Sequence, residues 1–161
     1  MEPLLVWLEG SALGQLVRAS GVWAYGVVNL VHILGIATLF GSVLALDLRL
    51  LGVWRRVPLA ALERPTLTLA ACGFIVAAAS GVTLLSANGS EYVGNPFLAL
   101  KFSAIGLGLA NIVAAQFLPA WRTRSVEPQG PRQRFALRVI GATSLACWLG
   151  AVAAGRMIGY W

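Results

Sequence analysis

Residues 19–46 contain no Asp, Glu, Lys or Arg and are rich in Val, Leu, Ile and Phe. About 20 apolar residues suffice for a helix to cross a bilayer, so this stretch specifies a membrane-spanning helix. The only histidine of the chain, His32, lies inside it. An ionisable or metal-ligating side chain in such a segment is costly to bury and points to function.

Composition extends the membrane reading to the whole chain. Hydrophobic residues make up 58% and charged residues 11%, against about 25% charged in soluble domains. At 161 residues the chain is the size of one domain. The net charge of +6 is a topology signal rather than a nucleic-acid face, because the cations lie in short segments between apolar stretches. Arginine supplies every basic residue except Lys101, and Ala and Gly are abundant, a bias that fits a GC-rich bacterial genome. Glu2 and Glu9 stand where a signal peptide would carry basic residues, and the apolar run between them is too short. Cys72 and Cys147 fall within spans and read as small packing residues rather than as a disulfide or metal pair.

Charged residues divide the chain into four apolar spans, at about 22–46, 67–86, 96–121 and 135–158. The predicted fold is all-α, a polytopic four-helix bundle in one integral membrane domain. The connection after the first span carries Arg49, Arg55, Arg56 and Arg64. The connection after the third carries Arg122, Arg124, Arg132 and Arg134, with Arg138 just beyond. Short cationic loops stay in the cytoplasm. The expected topology therefore puts both termini on the outer side of a bacterial inner membrane. Residues 4–18 are too short to span. Leu5, Leu8, Ala12 and Leu16 recur at helical spacing and predict an amphipathic helix along the outer interface. Glu9 lies on or beside that apolar face, either turned toward water or paired with a cation at the mouth of the bundle. Asn95-Pro96 predicts a capped helix start, and residues 125–131 predict a turn.

Small residues recur every four positions: Gly73, Ala77 and Gly81; Gly106, Ala110 and Ala114; Ala142, Ala146, Gly150 and Ala154; and comparably Gly35, Thr38 and Ser42. In lipid, such strips favour close helix approach. They equally leave room for a flat cofactor.

The polar residues gather in the outer half. Tyr25, Asn29 and His32 share one helix face with Gly35 a turn below, and His32 lies about 15 Å deep by helix rise. Lys101 lies about 7.5 Å into the third span, and Arg156 at similar depth on the fourth. These two cations either snorkel to headgroups or attend a site. A b-type haem fits the second reading. His32 would be an axial ligand to the iron, Lys101 or Arg156 would pair with a propionate, and Gly35 would let the porphyrin approach the backbone. The second axial position would be empty, filled by another side chain, or supplied by His32 of a second copy in a homodimer.

The segments W-L-E-G-S (7–11), V-H-I-L-G (31–35), L-D-L-R-L-L-G (46–52) and N-P-F-L-A-L-K (95–101) resemble a family of uncharacterised bacterial four-helix membrane proteins catalogued as a domain of unknown function. More distantly, His32, Gly41, Gly81 and Lys101 occur in an order similar to that of the haem-binding membrane protoporphyrinogen oxidase. The copper-resistance D-type membrane proteins share a comparable layout. The resemblance implies that His32 is a haem ligand and Lys101 a partner in the same site, while the surrounding sequence departs from the oxidase. Three functions follow as expectations. One is a haem-bearing redox protein acting in electron transfer or on a membrane-soluble substrate. Another is copper or small-solute handling, with His32, Cys72, Cys147 and Met157 as soft ligands. The third is a non-catalytic accessory subunit. No nucleophile-base arrangement, phosphate loop or zinc motif is present.

Overall fold

The computed structural model describes residues 2–124 and 130–161, so most of the turn expected at 125–131 lies outside the described residues. The described chain is helical throughout. Two short helices, α1 (Glu2–Gly10) and α2 (Ala12–Ala19), precede α3 (Gly21–Leu51) and α4 (Leu59–Ala87). Then come α5 (Pro96–Gln116), the single turn α6 (Pro119–Arg122) and α7 (Pro131–Met157). Four segments, Gly21–Leu51, Leu59–Ala87, Pro96–Gln116 and Pro131–Tyr160, are long and apolar enough to cross a membrane. Their outer faces are the faces of lipid-embedded helices: Val22, Trp23, Ile75 and Leu107 are all strongly exposed. Water would penalise such surfaces and a bilayer does not.

The long helices extend past the apolar runs that define them. At about 1.5 Å per residue, the 31 residues of α3 exceed the bilayer core of about 30 Å. The α3 helix ends at Gly52, whose positive φ of 105° glycine adopts without strain, and Val53 N–H closes the end on the Leu48 carbonyl at 2.9 Å. The α4 helix starts well before residue 67 and carries Glu63, Arg64 and Pro65 within it. Charge does not stop a helix once it has left the apolar layer. Here Glu63 forms an ion pair with Arg124, which stacks over the Trp121 ring at 4.0 Å. Thr66 Oγ1 bonds back to the Leu62 carbonyl at 2.6 Å, next to the donor that Pro65 lacks. The α5 helix begins as Asn95-Pro96 specifies, with Asn95 Oδ1 accepting from Phe97 N and Leu98 N at 2.9 and 3.2 Å.

The expected interfacial helix is broken in two. Ser11 caps α2 through Gly14 N, which resets the helical phase, so Leu5 is buried while Ala12 and Leu16 are exposed. The pair clamps the end of α4. Arg18 donates to the Ser86 and Ala87 carbonyls at 3.3 and 3.2 Å, satisfying acceptors that a helix end leaves open. Glu9 stays at the solvent-exposed edge of the bundle, where its Oε2 accepts from the Ser90 backbone N–H at 2.6 Å and Arg18, near enough to act on the carboxylate, donates to the Glu9 carbonyl at 2.9 Å. The bond from Ser90, first among several causes, holds the Glu9 carboxyl below its ordinary value.

Packing runs in the order α4, α3, α7, α5. Among the described residues, α4 and α5 share no comparable backbone interface. The α3–α4 contact is the closest. A methyl group on Gly73 would sit 2.5 Å from Leu39 N, and one on Gly35 would sit 2.8 Å from Ala77 N. The strips on α5 and α7 meet the expectation only in part: Ala154 is buried, and a methyl group on Gly150 would sit 3.9 Å from Ala104 Cβ. Gly106 has nothing within 4 Å, and Ala110, Ala114, Ala142 and Ala146 are exposed. The packed faces are instead Leu98, Ala104, Gly108 and Ala115 on α5, and Leu137, Gly141, Ser144, Trp148 and Ala151 on α7. Alanine is at home against lipid or protein, so its spacing alone does not mark an interface.

These environments predict opposite outcomes for one substitution. Gly73→Ala should lower stability by about 1–3 kcal/mol through overpacking. Gly106→Ala should stay within about 0.5 kcal/mol of the parent. Thermal unfolding in detergent checks both.

Candidate functional site

The glycine contacts that draw α3 onto α4 also seat His32. Its ring edge lies over Gly81, where an added methyl group would come within 3.0 Å of Cε1. The half-buried imidazole meets Ser80 Oγ through Nδ1 at 3.0 Å. The Ser80 hydroxyl hydrogen is directed to the Val76 carbonyl at 2.5 Å. Its oxygen therefore acts as an acceptor, and Nδ1 must be the donor. Nε2 is left with its lone pair, the form in which a histidine ligates a metal or takes a proton.

Lys101 is the second member. It projects from the second turn of α5 and lies along α7, its Cδ, Cε and Nζ each 3.6 Å from where a Gly155 side chain would begin. It is half-buried and close enough to His32 to interact with it electrostatically. Among the described residues it forms no hydrogen bond or ion pair. Thus α3 contributes an imidazole with a free nitrogen, seated on α4, and α5 a cation without a counter-ion among the described residues, laid along α7. Tyr25 stands nearer the end that carries the termini, close enough to Tyr92 to act on it electrostatically. Burial, with Tyr25 adjacent, pushes the Tyr92 phenol up from its ordinary value.

The remaining residues expected here go elsewhere. Arg156 is exposed and bound to its own helix end, donating to the Tyr160 hydroxyl and stacking on that ring at 4.6 Å. Asn29 is exposed on the lipid-facing surface of α3. Gly35 is buried against the α4 backbone, so its close approach serves helix packing and not a porphyrin face. Cys147 packs beside Gly108, Cys72 is exposed, and both are free thiols. Among the described residues no group of three or more His, Cys, Asp or Glu side chains is placed to hold a metal, which leaves the copper expectation without a gathered ligand set.

The structure adds residues that the sequence reading did not single out. Ser80 fixes the His32 tautomer, and its signal was a hydroxyl immediately before Gly81 of the strip 73–77–81. Asp47 is 3% exposed and has an unpartnered Oδ2, with Ser144 of α7 as its hydrogen-bonding neighbour. It sits at the arginine-rich end of α3, far along the helix from His32. Trp148 fills the middle of the bundle between them, edge-on to Phe74 at 6.2 Å and against Gly108.

The family model matches residues 4–161, every helix from α1 to the C-terminus. The chain belongs to DUF6644, a family of unknown function. No curated protein and no solved structure matches it. Function in this DUF6644 member therefore has to be argued from the His32 site.

The tautomer is directly checkable, because one histidine gives one set of ring signals. In protein labelled with ¹⁵N-histidine, His32 should show a protonated Nδ1 and an unprotonated Nε2 at neutral pH. Ser80→Ala should yield a mixture of tautomers. A wild-type ring protonated at Nε2 would contradict the assignment.

Proposed function

We propose that this protein is a haem b-bearing redox protein of a bacterial inner membrane, acting in electron transfer or in oxidation of a membrane-soluble substrate. One observation carries the reading: a histidine with its Nε2 free stands within electrostatic reach of a lysine with no anionic partner, both inside apolar spans. A buried cation without a counter-ion is costly, and an acidic cofactor with an imidazole-binding centre answers both needs.

The residues fit haem in part. His32 Nε2 would be the axial ligand, with Ser80 holding the other ring nitrogen as outer-shell partners of ligating histidines do. Lys101 would pair with a propionate. Gly81 gives His32 its seat, since any larger residue would push the ring away. Haem bound there would supply one-electron chemistry, while the chain supplies ligation, orientation and exclusion of water. Any further ligand to the group would come from outside the residues gathered around His32. His32 of a second copy is the candidate that a homodimer would provide. The arginine-rich loops support a topology with both termini on the periplasmic side.

The test is an absorption spectrum with a pyridine haemochrome assay on protein expressed with haem supply and purified in detergent. The wild type should carry b-type haem. His32→Ala should lose it, and Lys101→Gln should retain it with weaker binding, about tenfold for the loss of one charge-assisted contact. Haem-free wild-type protein, or unchanged haem in His32→Ala, would overturn the proposal.

A further inference from the structure

At the other end of the bundle, three arginines converge, and no acid among the described residues lines the depression they form. Arg55, in the turn after α3, and Arg134 and Arg138 on α7 line an open depression of about 460 Å³ together with Pro131 and Phe135. Gly52 gives them room. A single point above it, where a side chain would begin, lies 3.2 Å from Arg55 Nε, 3.3 Å from Arg55 Nη2 and 3.7 Å from Arg138 Nη2. Arg55 is held in place by donating Nε–H to the Gly52 carbonyl at 3.2 Å. Among the described residues, the Arg134 and Arg138 side chains make no hydrogen bond or ion pair, and no carboxylate lines the depression.

The arrangement is electrostatically incomplete. Guanidiniums that crowd one point repel, and residues 131–138 form the first two turns of α7, where the helix dipole already favours anions over cations. Among the described residues Glu63 is engaged by Arg124 and Glu9 by the Ser90 N–H, and no acid lines the depression. The missing charge has to come from outside the described fold. Guanidinium forks match phosphate oxygens in pairs. The depression also lies at the end of two membrane-crossing helices, where headgroup phosphates are the abundant anions, and basic pockets between spans are lipid sites by this chemistry. Phe135, 68% exposed beside the arginines, supplies an apolar surface of the kind that lies at headgroup depth.

We propose that Arg55, Arg134 and Arg138 form a phosphate site that holds the phosphodiester of an anionic lipid, with Phe135 against its glycerol and upper acyl chain. The site is independent of the His32 centre and needs no haem.

The experiment uses the full chain in detergent, titrated with phosphatidylglycerol, phosphatidylcholine or inorganic phosphate at matched ionic strength. Thermal stability and lipid retention by native mass spectrometry are the readouts. Phosphatidylglycerol should raise the thermal midpoint and be retained, whereas phosphatidylcholine should do neither. The double variant Arg134→Gln/Arg138→Gln should bind phosphatidylglycerol about 30-fold more weakly, about fivefold per arginine. Arg56→Gln, a nearby exposed arginine outside the depression, should bind as the parent does. Unchanged binding in the double variant, or an equal loss in Arg56→Gln, would overturn the site. Equal protection by inorganic phosphate would overturn the lipid as its occupant and assign the same arginines to a soluble phosphate compound.

Discussion

The close approach of α3 to α4 is the constraint from which the rest of the structure follows. In a bilayer, helices gain little from burying apolar side chains against one another, and association depends on how nearly their backbones meet. Gly35 and Gly73 remove the side chains that would hold these two helices apart, bringing each to within contact of the facing main chain. The same register carries Gly81 under the His32 ring and Ser80 to its Nδ1. Packing and site are therefore one arrangement: what brings the helices together also orients the imidazole and selects its tautomer.

The polar groups divide by depth into two regions. Near the termini, His32 and Lys101 lie inside the apolar layer, and α1 and α2 brace the end of α4 through Arg18 and Glu9. At the opposite end the arginines of the connecting segments are surface groups, and buried Asp47 stands one turn in from them. Trp148 and Phe74 separate the two regions with aromatic bulk. A cation fixed within the apolar layer and the exposed Arg55, Arg134 and Arg138 at its edge ask for different counter-ions, which is why we assign a cofactor to one region and a lipid headgroup to the other.

The spans were legible because their signal is long and physical: four apolar runs separated by arginines have few ways to fold. The cap at Asn95-Pro96 was legible for the same reason, each residue having one favoured use there. Helix ends were harder. The α4 helix runs on through Glu63 and Arg64 because charged residues are welcome in a helix beyond the lipid, so charge marks the membrane edge and not the helix edge. Small-residue spacing gave the right face on α4, where glycine clears a neighbouring backbone, the wrong face on α5, and on α7 a strip only half of which, Gly150 and Ala154, turns inward, because alanine fits either side. His32 and Lys101 stood out as rare residue types and do lie near one another. Arg156 looked equivalent from sequence, but Tyr160 one turn later captures it. Ser80 and Asp47 escaped notice because a serine in an apolar run and an acid near an arginine-rich loop are unremarkable until their neighbours are known.

The seat of the imidazole on Ser80 is the claim on which the site depends, and a double-mutant cycle reads it directly. His32→Ala, Ser80→Ala and the pair would be compared by reversible unfolding in detergent. A coupling of about 0.6 kcal/mol or more, typical of an interhelical hydrogen bond in a membrane protein, is the predicted result. Strict additivity of the two single substitutions would contradict it, and with it the free Nε2 that the proposed cofactor site requires.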